Sequence, residues 1–128
     1  VEVVKPPTVV AQEDTSRVFD EAIDAVVDAY HKLLDAGVPA EDARYLLPNA
    51  AETKIVITMN IRELLHFLSL RCCNRAQWEI RELANRMLEL VRPTAPYIFM
   101  DAGAPCVRGV CPEGNMTCGN PYPKVVRE

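Results

Sequence analysis

Residues 53–71 read TKIVITMNIRELLHFLSLR, and this stretch decides most of what can be predicted about the fold. Its first seven residues, 53–59, are rich in β-branched side chains and alternate in character, which predicts a strand. Asn60 and Glu63 then match a capping box, with asparagine in place of the usual serine or threonine, so a helix is predicted over residues 61–70. Leucine and phenylalanine cover most sides of that helix, which predicts that it is the most buried element.

One narrow side of this predicted helix is polar. Arg62, His66 and Ser69 are spaced by four and three residues and therefore fall on one stripe. A histidine on a buried helix is by default satisfied within the core, but its alignment with Arg62 makes contact with a ligand a competing interpretation. Arg71, at the end of the helix, either compensates the helix dipole or binds an anion.

Helical signals flank this stretch on both sides. Toward the N-terminus, Ser16 is predicted to cap an amphipathic helix that stops at Gly37. A short second helix is predicted to end near Leu47, and Arg44 within it needs a partner, either Glu41 or a bound anion. Toward the C-terminus, a second capping box at Asn74 predicts a helix over residues 75–91.

The predicted organisation is one partial domain, 1–128, of α+β class that is mostly helical with one strand. It comprises an extended lead-in (1–15), a helical core (16–92) that contains the strand (53–59), and a tail rich in Pro, Gly and Cys (93–128).

Composition is that of a soluble globular protein, with 49% hydrophobic and 25% charged residues among 128. The sequence has no apolar run of the ~20 residues that would span a bilayer and no leader of signal-peptide type. We therefore expect a cytoplasmic protein with no membrane partner. Because the chain begins with valine, a truncated or processed chain is one expectation.

Charge is distributed unevenly along the chain. Residues 1–53 carry eleven acids against four bases, whereas residues 54–92 carry seven bases, six of them arginine, against four acids. Arginine suits bidentate contacts with phosphate and carboxylate, so the basic middle indicates an anionic ligand. A solvated helix face laced with ion pairs would give the same count.

The chain has five cysteines, an odd number that does not indicate a secreted disulfide framework, so reduced thiols are expected. Their spacing does not match a short zinc knuckle, and a metal site built from them stays an alternative. No phosphate-binding glycine loop, nucleophile elbow or zinc-protease motif is present. The five cysteines of the chain are Cys72, Cys73, Cys106, Cys111 and Cys118.

Three segments together resemble a known family. EDARYLLP (41–48), TKIVITMNIRELLHFLSLR (53–71) and NRAQWEIRELA (74–84) are similar, in order and spacing, to the C-terminal half of flavin-dependent thymidylate synthases. The resemblance implies reductive methylation of dUMP to dTMP, with FAD as cofactor and NADPH and methylenetetrahydrofolate as co-substrates. It implies a homotetramer with shared active sites and no nucleic-acid partner.

Site residues follow from this resemblance position by position. Arg44 and Arg71 match arginines that bind dUMP. The positions that match FAD contacts are Asn60, Arg62, His66 and Leu70. The resemblance implies no catalytic nucleophile, so neither Cys72 nor Cys73 is assigned that role. It also implies no metal ligand. At Arg75 the family often has histidine or asparagine, so the role of this residue is open.

The signature segment of the family, an Arg-His-Arg followed by serines, a glutamate and an arginine, is absent from this sequence. We therefore expect this chain to be inactive by itself. Two alternatives stay open: a non-catalytic assembly or regulatory subunit of the same fold, and a small metal-binding module built on the cysteines.

Overall fold

The computed structural model describes residues 1–125, which form two compact units: Val1–Val56 and the residues from Ile57 onward. Within the described residues the regular structure is helical, as predicted, and no strand is present. No helix in this part of the chain combines the length and apolar character needed to cross a bilayer.

The first unit is built around one long amphipathic helix. Its chain ends are joined by an isolated antiparallel bridge between Val3 and Ala51, with a hydrogen bond of 2.8 Å from the Glu52 amide to the Glu2 carbonyl. Only Ala43 is fully buried among its residues. Its elements are α1 (Pro7–Val10), α2 (Glu13–Asp35), α3 (Ala40–Ala43) and a 3₁₀ turn (Arg44–Leu46).

Helix α2 begins earlier than the sequence predicts. The proposed cap, Ser16, lies inside the helix, and its hydroxyl accepts a 3.5 Å hydrogen bond from the Lys5 ammonium. Gln12, in extended conformation, precedes the first helical residue and makes no side-chain cap. The lead-in 1–15 is likewise not wholly extended, since Pro7 occupies the first turn of α1, where a proline needs no amide hydrogen bond.

The strand predicted over residues 53–59 is not formed. These residues adopt no regular structure and make no backbone hydrogen bond to other described residues. Ile55 is 75% and Val56 98% exposed. A strand requires a neighbouring strand to pair its amide and carbonyl groups, and the described residues offer none.

The second unit holds the larger core. Helices α4 (Ile61–Arg71) and α5 (Trp78–Val91) pack against each other, and the short helix α6 (Pro96–Phe99) follows the 3₁₀ turn Arg92–Thr94. Their buried side chains form one cluster: Leu68, Cys72, Ala84, Leu88, Phe99 and Ala102. Gly103 passes close to this core with a φ of +124°, and a Cβ there would lie 3.5 Å from the Leu88 side chain.

Helix α4 is less buried than predicted. Leu68 is its one fully buried residue, and Leu64, Leu65 and Phe67 are partly buried against the core. The predicted polar stripe does share one side of a helix, but Arg62 and His66 are exposed. The reason is that α4 packs on α5 along one side only.

One of the two predicted caps is confirmed. The Asn60 side chain accepts a hydrogen bond of 2.9 Å from the Glu63 amide at the start of α4. The cap predicted at Asn74 is wrong, because α5 begins at Trp78 and its cap is Gln77, whose side chain accepts from the amides of Glu79 and Ile80.

Beyond α6 the chain is irregular, as the sequence predicts, with 3₁₀ turns at Pro105–Val107 and Gly114–Met116. The amide of Val125 donates to the Val107 carbonyl at 3.0 Å, which holds the end of the described chain against the first of these turns. The last three positions of the predicted tail, 126–128, lie outside the described residues.

Candidate functional site

The turn between α4 and α5 is where the second unit brings polar groups together. Helix α4 ends at Arg71, and the chain turns through residues 72–77, with a 2.9 Å bond from the Ala76 amide to the Cys73 carbonyl. The Arg81 guanidinium, one turn into α5, donates to the Asn74 carbonyl at 2.7 Å. The turn is therefore fixed by a bond of its own and by a side chain of α5.

The C-terminal segment, residues 105–121, is tied to this turn by two side chains. The amide nitrogen of Asn74 donates to the Asn120 carbonyl at 2.8 Å. The Arg75 guanidinium donates to the Met116 carbonyl and lies 3.8 Å from the Glu113 carboxylate. The two hydrogen bonds each span more than forty residues of sequence.

A cavity of about 410 Å³ lies between the turn and the C-terminal segment. This size is within the roughly 300–1,000 Å³ of small-molecule pockets. One wall comes from the end of α4 and the turn, including Ser69, Leu70 and Arg71, and the other from the C-terminal segment, including Glu113 and Thr117. The cavity combines apolar surface with charged and hydroxyl groups, which suits a polar ligand with an apolar portion.

Two of the six site residues predicted by resemblance line this cavity, namely Leu70 and Arg71. The other FAD positions, Asn60, Arg62 and His66, lie at the beginning and middle of α4, are exposed, and do not line it. Arg44 begins the 3₁₀ turn of the first unit and is also exposed. The FAD assignment of Asn60, Arg62 and His66 therefore rests on the resemblance.

The arginines of the described residues divide into two groups. Five make ion pairs or hydrogen bonds to neighbouring groups: Arg17, Arg75, Arg81, Arg86 and Arg108. Arg44, Arg62, Arg71 and Arg92 make none within residues 1–125, and Glu41, the predicted partner of Arg44, forms no ion pair with it. The three arginines that the resemblance assigns to ligands are thus open to one.

All five cysteines are free thiols, and four of them line the cavity: Cys73, Cys106, Cys111 and Cys118. The residues described include no group of three or more His, Cys, Asp or Glu side chains placed to hold a metal ion. The fifth, Cys72, is buried in the core, and burial raises the pKa of its thiol while the nearby Arg92 acts in the opposite direction. A raised pKa keeps this thiol neutral and a poor nucleophile.

Sequence reasoning missed the contribution of the C-terminal segment and the role of Arg75. The sequence predicts a tail rich in Pro, Gly and Cys, but no periodic pattern shows which part of the core this tail covers. The departure from the family at Arg75 was the available signal, because a longer cationic side chain can reach a carbonyl such as that of Met116.

Comparison with known proteins agrees with the resemblance. Residues 1–97 match the family model described as thymidylate synthase complementing protein. A flavin-dependent thymidylate synthase from Geobacter sulfurreducens is 63% identical over 116 residues, covering 91% of this chain and 50% of the relative. One from Clostridium tetani is 45% identical over 130 residues, covering 89% and 52%.

A third relative of the same name, from Saccharolobus solfataricus, is 48% identical over 102 residues, which cover 80% of this chain and 38% of the relative. The chain spans about half the length, or less, of these curated relatives.

Proposed function

The chain belongs to the family of thymidylate synthase complementing proteins, and from that membership we propose that it is the C-terminal part of a flavin-dependent thymidylate synthase. The whole enzyme would convert dUMP to dTMP with methylenetetrahydrofolate and NADPH. The observation that carries the proposal is that the arginines matching ligand-binding positions in the family, Arg44, Arg62 and Arg71, make no internal ion pair within the described residues.

Arg44 and Arg71 have the chemistry that dUMP requires. A guanidinium is always charged and presents a planar fork of donors that matches a phosphate or the uracil oxygens. An arginine already paired with a carboxylate would have to exchange that partner for the ligand, whereas these two are free to bind without such an exchange. Arg71 lines the cavity, so a bound nucleotide would be partly shielded from water there.

The donor groups of α4 fit a flavin dinucleotide. Arg62 and His66 lie one turn apart and are exposed, and their side chains make no ion pair or hydrogen bond with residues 1–125; cationic or imidazole donors suit a pyrophosphate. Asn60 uses its oxygen for the helix cap, which leaves its amide nitrogen for a ligand. Bound FAD would supply the redox chemistry, while these residues hold and orient it.

We extend the proposal to the fold, the assembly and the location. Residues 53–59 would become a strand of an α+β fold in the whole protein, because an exposed β-branched segment with unpaired amides can add to a sheet edge. The whole enzyme would be a cytoplasmic homotetramer. Because the rest of the protein would complete the active sites, we expect no activity from this chain alone.

The test is the reaction itself. The full-length protein, purified with FAD and supplied with dUMP, methylenetetrahydrofolate and NADPH, is expected to form dTMP, whereas residues 1–128 alone are expected to form none. A full-length protein that binds dUMP and FAD but forms no dTMP would favour a non-catalytic subunit. Stoichiometric zinc or iron in the same preparation would instead favour the metal-binding alternative.

A further inference from the structure

The C-terminal segment forms the second wall of the cavity that contains Arg71. Thr117 and Cys118 line the cavity from this segment, and Ser69 and Arg71 line it from the end of α4. The tail is therefore placed to decide how much room a ligand at Arg71 has and what it contacts on its outer side.

Arg75 is the principal link between the two walls. Its guanidinium reaches the Met116 carbonyl and stands 3.8 Å from the Glu113 carboxylate, and both of these residues line the cavity. Asn74 adds a second tie farther along, to Asn120. Arg75 follows Arg71 by only four residues on a turn held by hydrogen bonds, so the side chains of Arg75 and Asn74 hold the segment beside Arg71.

The charges of the cavity indicate what it binds. Glu113 offsets the charge of Arg75, whereas Arg71 has no ion-pair partner among residues 1–125, so the cavity has one uncompensated cation. The Thr117 hydroxyl accepts from the Gly119 amide and keeps its proton to donate, whereas the Ser69 hydroxyl donates to the His66 carbonyl at 2.7 Å and offers a ligand only its acceptor lone pairs. A monoanionic or dianionic ligand with further hydrogen-bonding groups, such as a nucleoside monophosphate, fits this combination.

We propose that Arg75 is a positioning residue for dUMP, holding the segment around Glu113–Thr117 as the outer wall of the cavity in which Arg71 binds the nucleotide. This inference rests on the proposed function, and it gives Arg75 a role away from the flavin. The contribution of Arg75 to dUMP affinity would come through the tail that it holds, because its own guanidinium is already engaged.

Substitution of Arg75 in the full-length protein tests the proposal. Arg75→Ala is expected to raise the dUMP dissociation constant about tenfold, as loss of a charge-assisted hydrogen bond that orders the wall would do. The FAD content is expected to stay at the wild-type level. Arg75→Lys, which keeps the cation and can reach the Met116 carbonyl, is expected to recover most of the affinity. Arg86→Ala, which removes an exposed pair with Glu82 away from the cavity, serves as the matched control.

The thiols of the cavity give a second readout that does not depend on a variant folding correctly. Cys118 is exposed and lines the cavity, so dUMP bound there is expected to slow its alkylation by iodoacetamide at least about fivefold, since the thiol must be accessible to react. A cysteine introduced by Leu90→Cys, at a position 76% exposed on α5, is expected to react at the same rate with and without dUMP.

The two hypotheses fail in different ways. If the wild-type protein neither binds dUMP nor forms dTMP, the proposed function is wrong. If it does both, but dUMP leaves the alkylation of Cys118 unchanged and Arg75→Ala binds dUMP as the wild type does, the role of Arg75 is overturned. Loss of FAD and dUMP together in Arg75→Ala, with no protection of Cys118 in the wild type, would also overturn it.

Discussion

Helix α4 has a packed region and an open region, and they differ in what their residues contact. In the packed region, Leu68 is fully buried against α5 and α6 side chains. In the open region, Arg62, His66 and Arg71 are exposed and make no ion pair within the described residues. If the open region binds ligand as proposed, stability and ligand binding depend on different residues of one helix, so substitutions should separate the two properties.

The largest effect is expected in the packed region. Leu68→Ala should lower the free energy of unfolding by about 2–5 kcal/mol, because it removes a fully buried side chain and leaves a cavity in the core. Urea denaturation of the full-length protein measures this change. Leu90→Ala, the same substitution at a position 76% exposed on α5, is the control and should be nearly neutral. Equal losses from both variants would contradict the packing described.

A substitution in the open region should change ligand binding and leave stability unchanged. Arg62→Ala is expected to weaken FAD binding about tenfold or more, since a hydrogen bond to a charged group contributes about 1.5–3 kcal/mol. The denaturation midpoint of the FAD-free protein should not move, because Arg62 has no ion-pair partner among residues 1–125 to lose. Flavin fluorescence titration gives the affinity. Unchanged FAD affinity alongside reduced stability would reverse the assignment.

Asn60 joins the two regions, because it caps α4 and also matches an FAD position. Asn60→Ala should cost about 1 kcal/mol of stability through loss of the cap. Asn60→Asp keeps an acceptor for the Glu63 amide but removes the amide donor, so stability should persist while FAD affinity falls. A stability loss in Asn60→Asp equal to that of Asn60→Ala would show that the oxygen is not what caps the helix.

The smallest effect concerns pH and the packed region. Burial raises the pKa of the Cys72 thiol above its ordinary 9.0, so the folded state favours the neutral thiol. The contribution of this thiol to stability is therefore complete below pH 9.0 and is lost as pH rises through the raised folded pKa. The urea denaturation midpoint should decrease from pH 8 to pH 10, and the decrease should be larger in the wild type than in Cys72→Ala. In Cys118→Ala, which changes an exposed position, the midpoint should decrease as much as it does in the wild type.

Local signals in the sequence predicted the helices well. The cap at Asn60 depends on groups three residues apart, so it could be read from the pattern alone. Asn74 carries the same local pattern, but α5 begins only at Trp78 with Gln77 as its cap, and the Asn74 side chain donates to the carbonyl of Asn120, forty-six residues later. A local pattern could not predict that distant contact.

Other features depended on contacts that no local pattern contains. The β-branched residues 53–59 have the composition of a strand but no partner among residues 1–125, so they remain unpaired. The arginine positions of the candidate site came from family resemblance, and the sequence could not show that a distant segment forms the cavity wall opposite Arg71. Tertiary contacts, rather than propensity, decided both outcomes.

Titration of dUMP into the full-length, FAD-loaded protein tests the central claim most directly, with Arg71→Ala compared against the wild type and Arg86→Ala. We expect Arg71→Ala to weaken dUMP binding by more than about tenfold, or about 1.5 kcal/mol, because it removes a charge-assisted contact. Arg86→Ala should bind as the wild type does, since Arg86 pairs with Glu82 away from the cavity. Wild-type dUMP affinity in Arg71→Ala would contradict the account.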